Sequence, residues 1–481
     1  MNQQELHQLA SKKVEENKPL IEKDSNRLQF HLMPPVGLLN DPNGLIHFNG
    51  LYHVFYQWNP FETSHGAKFW GHYTSKDLIS WQEQPPALVP SEWYEKNGCY
   101  SGSAVEHNGK MYLFYTGNVK NKNNERETYQ CLAVSHDGIT FEKKGPVIFL
   151  PEDYTPHFRD PKVWQQDGIW YMVLGAQTEK EEGQVVLYAS MDLENWEFKG
   201  PLAGGNLNGL GDFGYMWECP DLFKLGTQDI LLASPQGLEP EGHLYQNLFQ
   251  SGYFIGKWKP ETNRYVHGDF IELDRGFDFY APQTFEDNHG RRLLYAWMGL
   301  TDENEAFQPT IANGWIHALT LPRELVLKGD KLYQKPVAEL TQLRKTHDFH
   351  QQVSLDNEAK SWTAINGTVS EIYIEVGQHE VTCFEINIRE NVKLSFNYVK
   401  SMITLERKSF KDGSPESRSC QLPILKELHI FLDTSSIEIF LNGGQEVMTA
   451  RFFAEPTEQT ITFASRGKVD LWIEKWSLQL S

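Results

Sequence analysis

The chain has 481 residues, of which 40% are hydrophobic and 13% aromatic, and a formal net charge of −20. That length exceeds one ordinary core and makes two domains the prior. The acidic balance argues against nucleic acid and anionic membrane as partners, because both need a basic surface.

Five cysteines (Cys99, Cys131, Cys219, Cys383 and Cys420) are widely spaced, odd in number and without CxxC spacing, which points to reduced thiols. The N-terminus has no apolar stretch of the secretory kind, and no run approaches membrane-span length. A cytoplasmic location is the expectation. Residues 1–30 read as a polar segment, with one short helix over 5–16 that ends before Pro19.

Strand signals dominate from Phe30 onward, and three landmarks recur in phase. Asp41, Ser101, Asp160 and Glu218 stand at steps of 60, 59 and 58 residues. Three of them carry a nearby proline: Asp41-Pro42, Asp160-Pro161 and Glu218-Cys219-Pro220. Asn49-Gly50, Asn108-Gly109 and Asp167-Gly168 then read as hairpin turns, each followed by an apolar strand. Further on, a Ser-x-Asp-x-x-x-aromatic pattern appears at Ser75–Trp81, Ser135–Phe141 and Ser190–Trp196. Fourth and fifth copies start at Glu218 and near Pro282. Five units of about sixty residues fit a β-propeller of four-stranded blades better than a solenoid. The expected fold is therefore all-β, with a five-bladed propeller over residues 31–345. Residues 346–481 alternate strictly, as in Ser436–Leu441 before Asn442-Gly443-Gly444, and read as a β-sandwich.

The first strand of each blade lines the central channel, so this spacing brings three carboxyls to one axis. Converging carboxyls suit cleavage of a glycosidic bond, in which a nucleophile and a proton donor must differ in pKa. The local sequence suggests Asp41 as nucleophile, since Asn40 and Asn43 offer donors to an ionised carboxylate. Glu218, between Trp217 and Cys219-Pro220, reads as the general acid/base in an apolar setting that raises its pKa. Asp160, preceded by Arg159, reads as a fixed carboxylate that stabilises the transition state.

Residues 31–44 (HLMPPVGLLNDPNG) resemble the sucrase signature of glycoside hydrolase family 32. Phe158-Arg159-Asp160-Pro161-Lys162 resembles its Arg-Asp-Pro motif, and Trp217-Glu218-Cys219-Pro220-Asp221 its Glu-Cys-Pro motif. The similarity extends through Tyr100–Ala104 and Ala296–Gly299 to Asp433–Phe440. That family comprises invertases, fructanases and bacterial sucrose-6-phosphate hydrolases. The resemblance implies a five-bladed propeller plus sandwich and the same three catalytic roles. It also implies sugar contacts at Asn40, Gln57, Trp70, Ser101, Arg159 and Trp297.

His65 departs from the family pattern, where a Trp is common; it reads as a surface residue or as a contact for a more polar substrate group, with the former preferred. No metal or other cofactor is expected, because His65 and His72 lack further ligands at metal-site spacing. Cys219 reads as packing against the acid. The implied reaction is retaining hydrolysis of a terminal β-fructofuranosyl bond, and a cytoplasmic location favours sucrose 6-phosphate alongside sucrose. Phosphate recognition needs Arg or Lys at the rim of the glucose side; Lys68, Lys120 and Arg126 lie on rim loops that suit it, with a solvated surface as the default reading for each. A fructan hydrolase, a transfructosylase and a propeller that only binds carbohydrate remain as rivals, and the oligomeric state is open.

Overall fold

A computed structural model describes residues 1–207 and 209–480. Among them, five antiparallel sheets form the blades of a propeller. The innermost strands are Gly37–Phe48, Cys99–His107, Tyr154–Gln166, Met216–Leu225 and Tyr280–Glu286. Each contacts the next, and the fifth contacts the first, so the ring is closed. A short strand, Trp315–Ile316, adds in parallel to Gly37–Leu38 and strengthens the seam.

The sequence landmarks have direct structural causes. Asn49 (φ 50°) and Gly50 (φ 77°) are both left-handed, as are Asn108-Gly109 and Asp167-Gly168. That is the type I′ geometry whose twist matches the flanking strands. In the Ser-x-Asp pattern, the Asp77 carboxylate accepts from the Ser75 hydroxyl and from the amides of Ile79 and Ser80. Asp137 and Asp192 repeat this cage. These turns connect the third and fourth strands of blades one to three.

The N-terminal helix runs Gln3–Ile21, longer than 5–16, and contains Pro19 in its last turn. Its start is fixed by a capping box between Asn2 and Glu5. A proline so near the end removes little of the helix ladder, and the Glu22 amide still reaches the Lys18 carbonyl. Leu6, Ala10 and Ile21 are buried in the cluster that also holds propeller residues such as Trp58 and Leu319.

The C-terminal sandwich opens with Arg344–Asp356 and closes with Ile461–Leu478. Its core is aliphatic and aromatic, including Ile374, Phe384, Ile430 and Ile439. It docks on the propeller through buried charge. Arg323 donates to Glu438 (2.6 Å), Gln334 (2.9 Å) and Thr449 (2.7 Å), and lies 3.1 Å from Asp274. His31 bridges Asp433 (2.8 Å) and Glu438 (3.1 Å), all three being buried. Asp433 also accepts the Gln29 and Phe30 amides. The motif at 433–440 is thus a docking surface.

Candidate active site

The repeat carries a bulge in every blade. Pairing between the first and second strands breaks between Leu39 and Pro42, Tyr100 and Gly102, Arg159 and Lys162, Glu218 and Asp221, and Tyr280 and Gln283. An extra residue in a strand re-aims its neighbours and tolerates an amide without a ladder partner. Hence Pro42, Pro161, Pro220 and Pro282 sit in these bulges, where a missing N–H is harmless. Asp160 (φ 66°), Cys219 (φ 48°) and Ala281 (φ 50°) take left-handed backbone there.

Just past the bulges, side chains clasp neighbouring blades. The Gly102 amide donates to Asn43, and the Val163 amide to Ser103. Lys162 reaches the Thr284 carbonyl and lies 3.1 Å from Asp221, which also accepts from the Thr284 amide and hydroxyl. This ring of bonds fixes the site residues two or three positions earlier.

Asp41, Asp160 and Glu218 line one cavity of about 510 Å³, together with Asn40, Gln57, Ser101, Arg159 and Trp297. Asp41 accepts from the Ser101 hydroxyl (2.5 Å) and the Asn40 amide (3.0 Å). Burial nevertheless dominates and raises its pKa, with the Glu218 charge adding to the rise. Asp160 accepts the Cys219 amide at 2.9 Å, with the Cys219 sulfur at 3.6 Å. Burial pushes the Asp160 carboxyl up to about 7 against the pull of Arg159, with Glu218 and Asp41 reinforcing burial.

Glu218 is held on both oxygens. Arg159 donates to Oε1 from Nη2 (2.5 Å) and Nε (3.0 Å), while Gln236 (2.6 Å) and the Tyr280 hydroxyl (2.5 Å) donate to Oε2. Two buried polar atoms of the wall, Asn40 Oδ1 and Trp297 Nε1, have no hydrogen-bond partner among the described residues.

Two family models cover the chain: the glycosyl hydrolases family 32 N-terminal domain over residues 31–336, and the family 32 C-terminal domain over residues 339–478. The chain belongs to glycosyl hydrolase family 32.

It is 51% identical to a sucrose-6-phosphate hydrolase of Bacillus subtilis, over 99% of each chain. Its fold is similar to a solved sucrose-6-phosphate hydrolase from Lactobacillus gasseri, with TM-score 0.86 and 32% identity, covering 98% of this chain and 96% of that one. A Bombyx mori family 32 beta-fructofuranosidase mutant, solved in complex with sucrose, aligns with TM-score 0.86 and 32% identity, covering 100% of this chain and 99% of the other.

As a family 32 glycoside hydrolase, the protein corrects several readings made from the sequence. Trp70 does not line the cavity: it is fully buried, donates its indole N–H to the Tyr100 carbonyl and packs on Phe55 and Tyr115. His65 is exposed, but at the cavity rather than on the outer surface: it lines the wall, contacts Glu305 (3.0 Å) and Thr301 (3.2 Å), and meets Trp297 edge-on. Arg159 is hydrogen-bonded to Glu218 rather than to its neighbour Asp160. Trp217 does not provide an apolar setting for Glu218. Adjacent strand residues face opposite sides, and Trp217 turns into the blade core against Phe254.

Tyr280 and Gln236 were missed as parts of the acid cluster's surroundings, and Lys68 is buried rather than solvated at the rim. Tyr280 had a signal: it stands two residues before Pro282, as Glu218 stands two before Pro220. Lys68 is almost wholly buried beside Asp41; burial lowers its pKa to about 7. Lys120 and Arg126 also line the cavity. Outside it, His347, His350 and Glu474 of the sandwich bring ligand atoms within 4.8 Å of one another, with both histidines exposed.

Proposed function

We propose that the protein is a retaining β-fructofuranosidase that cleaves the terminal β-D-fructofuranosyl bond of sucrose 6-phosphate and of sucrose, in the cytoplasm. The observation that carries the reading is the convergence of three carboxyls, each beside a blade bulge, on one cavity also lined by Asn40, Gln57, Ser101, Arg159 and Trp297. The names of its relatives support the substrate.

In this mechanism an Asp41 oxygen attacks the anomeric carbon of the fructosyl unit. The glycosidic C–O bond breaks, and its oxygen takes a proton from Glu218, releasing glucose 6-phosphate or glucose. Glu218, now a carboxylate, takes a proton from water as that water's oxygen attacks the same carbon. The ester bond breaks and Asp41 is freed. Two inversions leave the β configuration. Arg159 holds Glu218 through two nitrogens, whereas Asp41 is held by Ser101 and Asn40, which supports Asp41 as the nucleophile. Asp160, fixed by the Cys219 amide, serves the transition state through fructose hydroxyls. Asn40, Gln57, Ser101, Arg159 and Trp297 orient the sugar, with Trp70 supporting the wall from behind.

The test is hydrolysis of both sugars, with early product followed by NMR. β-Fructose as first product and a higher kcat/KM for sucrose 6-phosphate are expected. α-Fructose would overturn the mechanism, and equal kcat/KM values would overturn the substrate preference.

A further inference from the structure

In a chain of net charge −20, the cavity already holds three carboxyls. A phosphorylated sugar entering it meets repulsion unless cations stand where its phosphate comes to rest. The second and third strands of blade two supply them. Lys110–Lys120 pairs with Arg126–Ser135, and the register puts Lys120 directly opposite Arg126. Like charges facing each other across a ladder are unfavourable by themselves. Neither side chain forms an ion pair among the described residues. Both line the cavity.

Their face of the hairpin leads from the reacting groups to the mouth. Strand alternation places Thr116, Asn118 and Lys120 on one side of the sheet, with Arg126, Thr128 and Gln130 beside them. At the deep end, Thr116 accepts the Asp160 amide and bonds Gln130. Thr128 and Gln130 both donate to the Phe158 carbonyl. Asn118 lines the wall midway. From Thr116 to Lys120 is four residues, roughly 13 Å of strand. That leaves room for a sugar ring between the acids and the rim cations.

The proton donor identifies which ring. Arg126 Nη1 donates to His157 Nδ1 (3.3 Å), and Arg159 Nη1 donates to the same nitrogen (3.1 Å). Arg159 in turn grips Glu218. Arg126 is therefore linked to the carboxyl that protonates the leaving oxygen, with Lys120 opposite it on the ladder, which puts this pair on the leaving group's side. His157 accepts from two guanidiniums through Nδ1, so its proton is on Nε2. Burial, then the two arginines, lower its pKa to about 4. Lys68 turns its ammonium to His65 (3.2 Å) and lies close enough to Asp41 to feel its charge.

We infer that Arg126 and Lys120, with His157 orienting Arg126, form the subsite for the 6-phosphate of the leaving glucose unit. This rests on the substrate reading above. A guanidinium presents a planar fork to phosphate oxygens, whereas an ammonium acts as a compact charge, so Arg126 is the principal contact.

The readout is the ratio of kcat/KM for sucrose 6-phosphate to that for sucrose. In Arg126→Gln it should fall on the order of 10- to 100-fold, and in Lys120→Gln by a smaller factor. Lys122→Gln, at the exposed tip of the same hairpin, removes a charge outside the cavity and should leave the ratio unchanged. Glucose 6-phosphate should also inhibit the wild type more strongly than glucose does, and lose that advantage in the Arg126 variant. If Arg126→Gln fails to fold, the exposed Lys120 carries the test. A wild-type ratio near one would overturn the substrate reading and the subsite together. A wild-type preference that survives both substitutions, or falls equally in Lys122→Gln, would overturn the subsite alone.

Discussion

Among the described residues, the buried charge of the propeller cavity contrasts with the buried charge where the sandwich docks. At the docking surface, burial opposes the charge on His31, but Asp433 and Glu438 outweigh it and the His31 pKa rises. Burial likewise opposes the charge on Glu438, yet Arg323 and His31 bring its pKa down. Asp274 of the same network is the exception, its pKa raised by burial against the pull of Arg323; in the cavity that balance holds for both shifted acids. Burial wins at Asp41 and Asp160, and the neighbouring acids add to it. A structural network satisfies its charges with partners inside the protein, whereas a reactive site leaves part of that task to the substrate.

The sharpest way to break this contrast is to neutralise the reacting acids of the cavity and one acid of the docking surface. Asp41→Asn should lower kcat by about 10³- to 10⁵-fold with the fold intact by circular dichroism, and Glu218→Gln by about 10²- to 10⁴-fold. Near-normal turnover in either would remove its role. Glu438→Gln should instead cost roughly 3–5 kcal/mol in urea unfolding, because it leaves the buried Arg323 under-compensated.

Asp160→Asn should move stability the other way. A carboxyl raised from 3.8 to about 7 makes the fold bind more protons than the unfolded chain. Its contribution is held at low pH and lost as pH rises through about 7. The variant should therefore be more stable than wild type at pH 8, by roughly 2–4 kcal/mol, while losing activity. Unchanged or lower stability at pH 8 would contradict the burial argument.

His31→Gln sharpens the docking side. The raised His31 pKa supplies stability below the ordinary histidine value and loses it as pH rises through the folded value. The variant's deficit, about 1–2 kcal/mol, should be larger at pH 6 than at pH 9. Trp70→Phe should have the smallest functional effect. It stands behind the wall, so KM for sucrose should stay within about twofold while stability falls by roughly 1–2 kcal/mol.

Propeller and acids were legible in the sequence because each blade repeats a local device. Type I′ turns, caged aspartates and bulges with proline all leave fixed residue types at fixed offsets. What was not legible depends on packing across blades. Arg159 follows its partner Glu218 on the next blade rather than its chain neighbour Asp160. Trp70 and Trp297 are both tryptophans on propeller strands, yet one is core and the other wall. His65 meets Glu305 and Thr301 from a distant loop, and no local pattern announces that. The docking acids Asp433 and Glu438 were visible only as part of a resemblance. Their function emerged from His31 and Arg323 packed on them.

The central claim is that Asp41 carries the fructosyl unit. An activated β-fructofuranoside, whose leaving group needs no proton, should react with a Glu218→Ala variant and stall before water attack. Mass spectrometry of the digested protein should then find one fructosyl unit esterified to the peptide containing Asp41. An adduct on the peptide containing Asp160, or turnover to α-fructose without any adduct, would contradict the account.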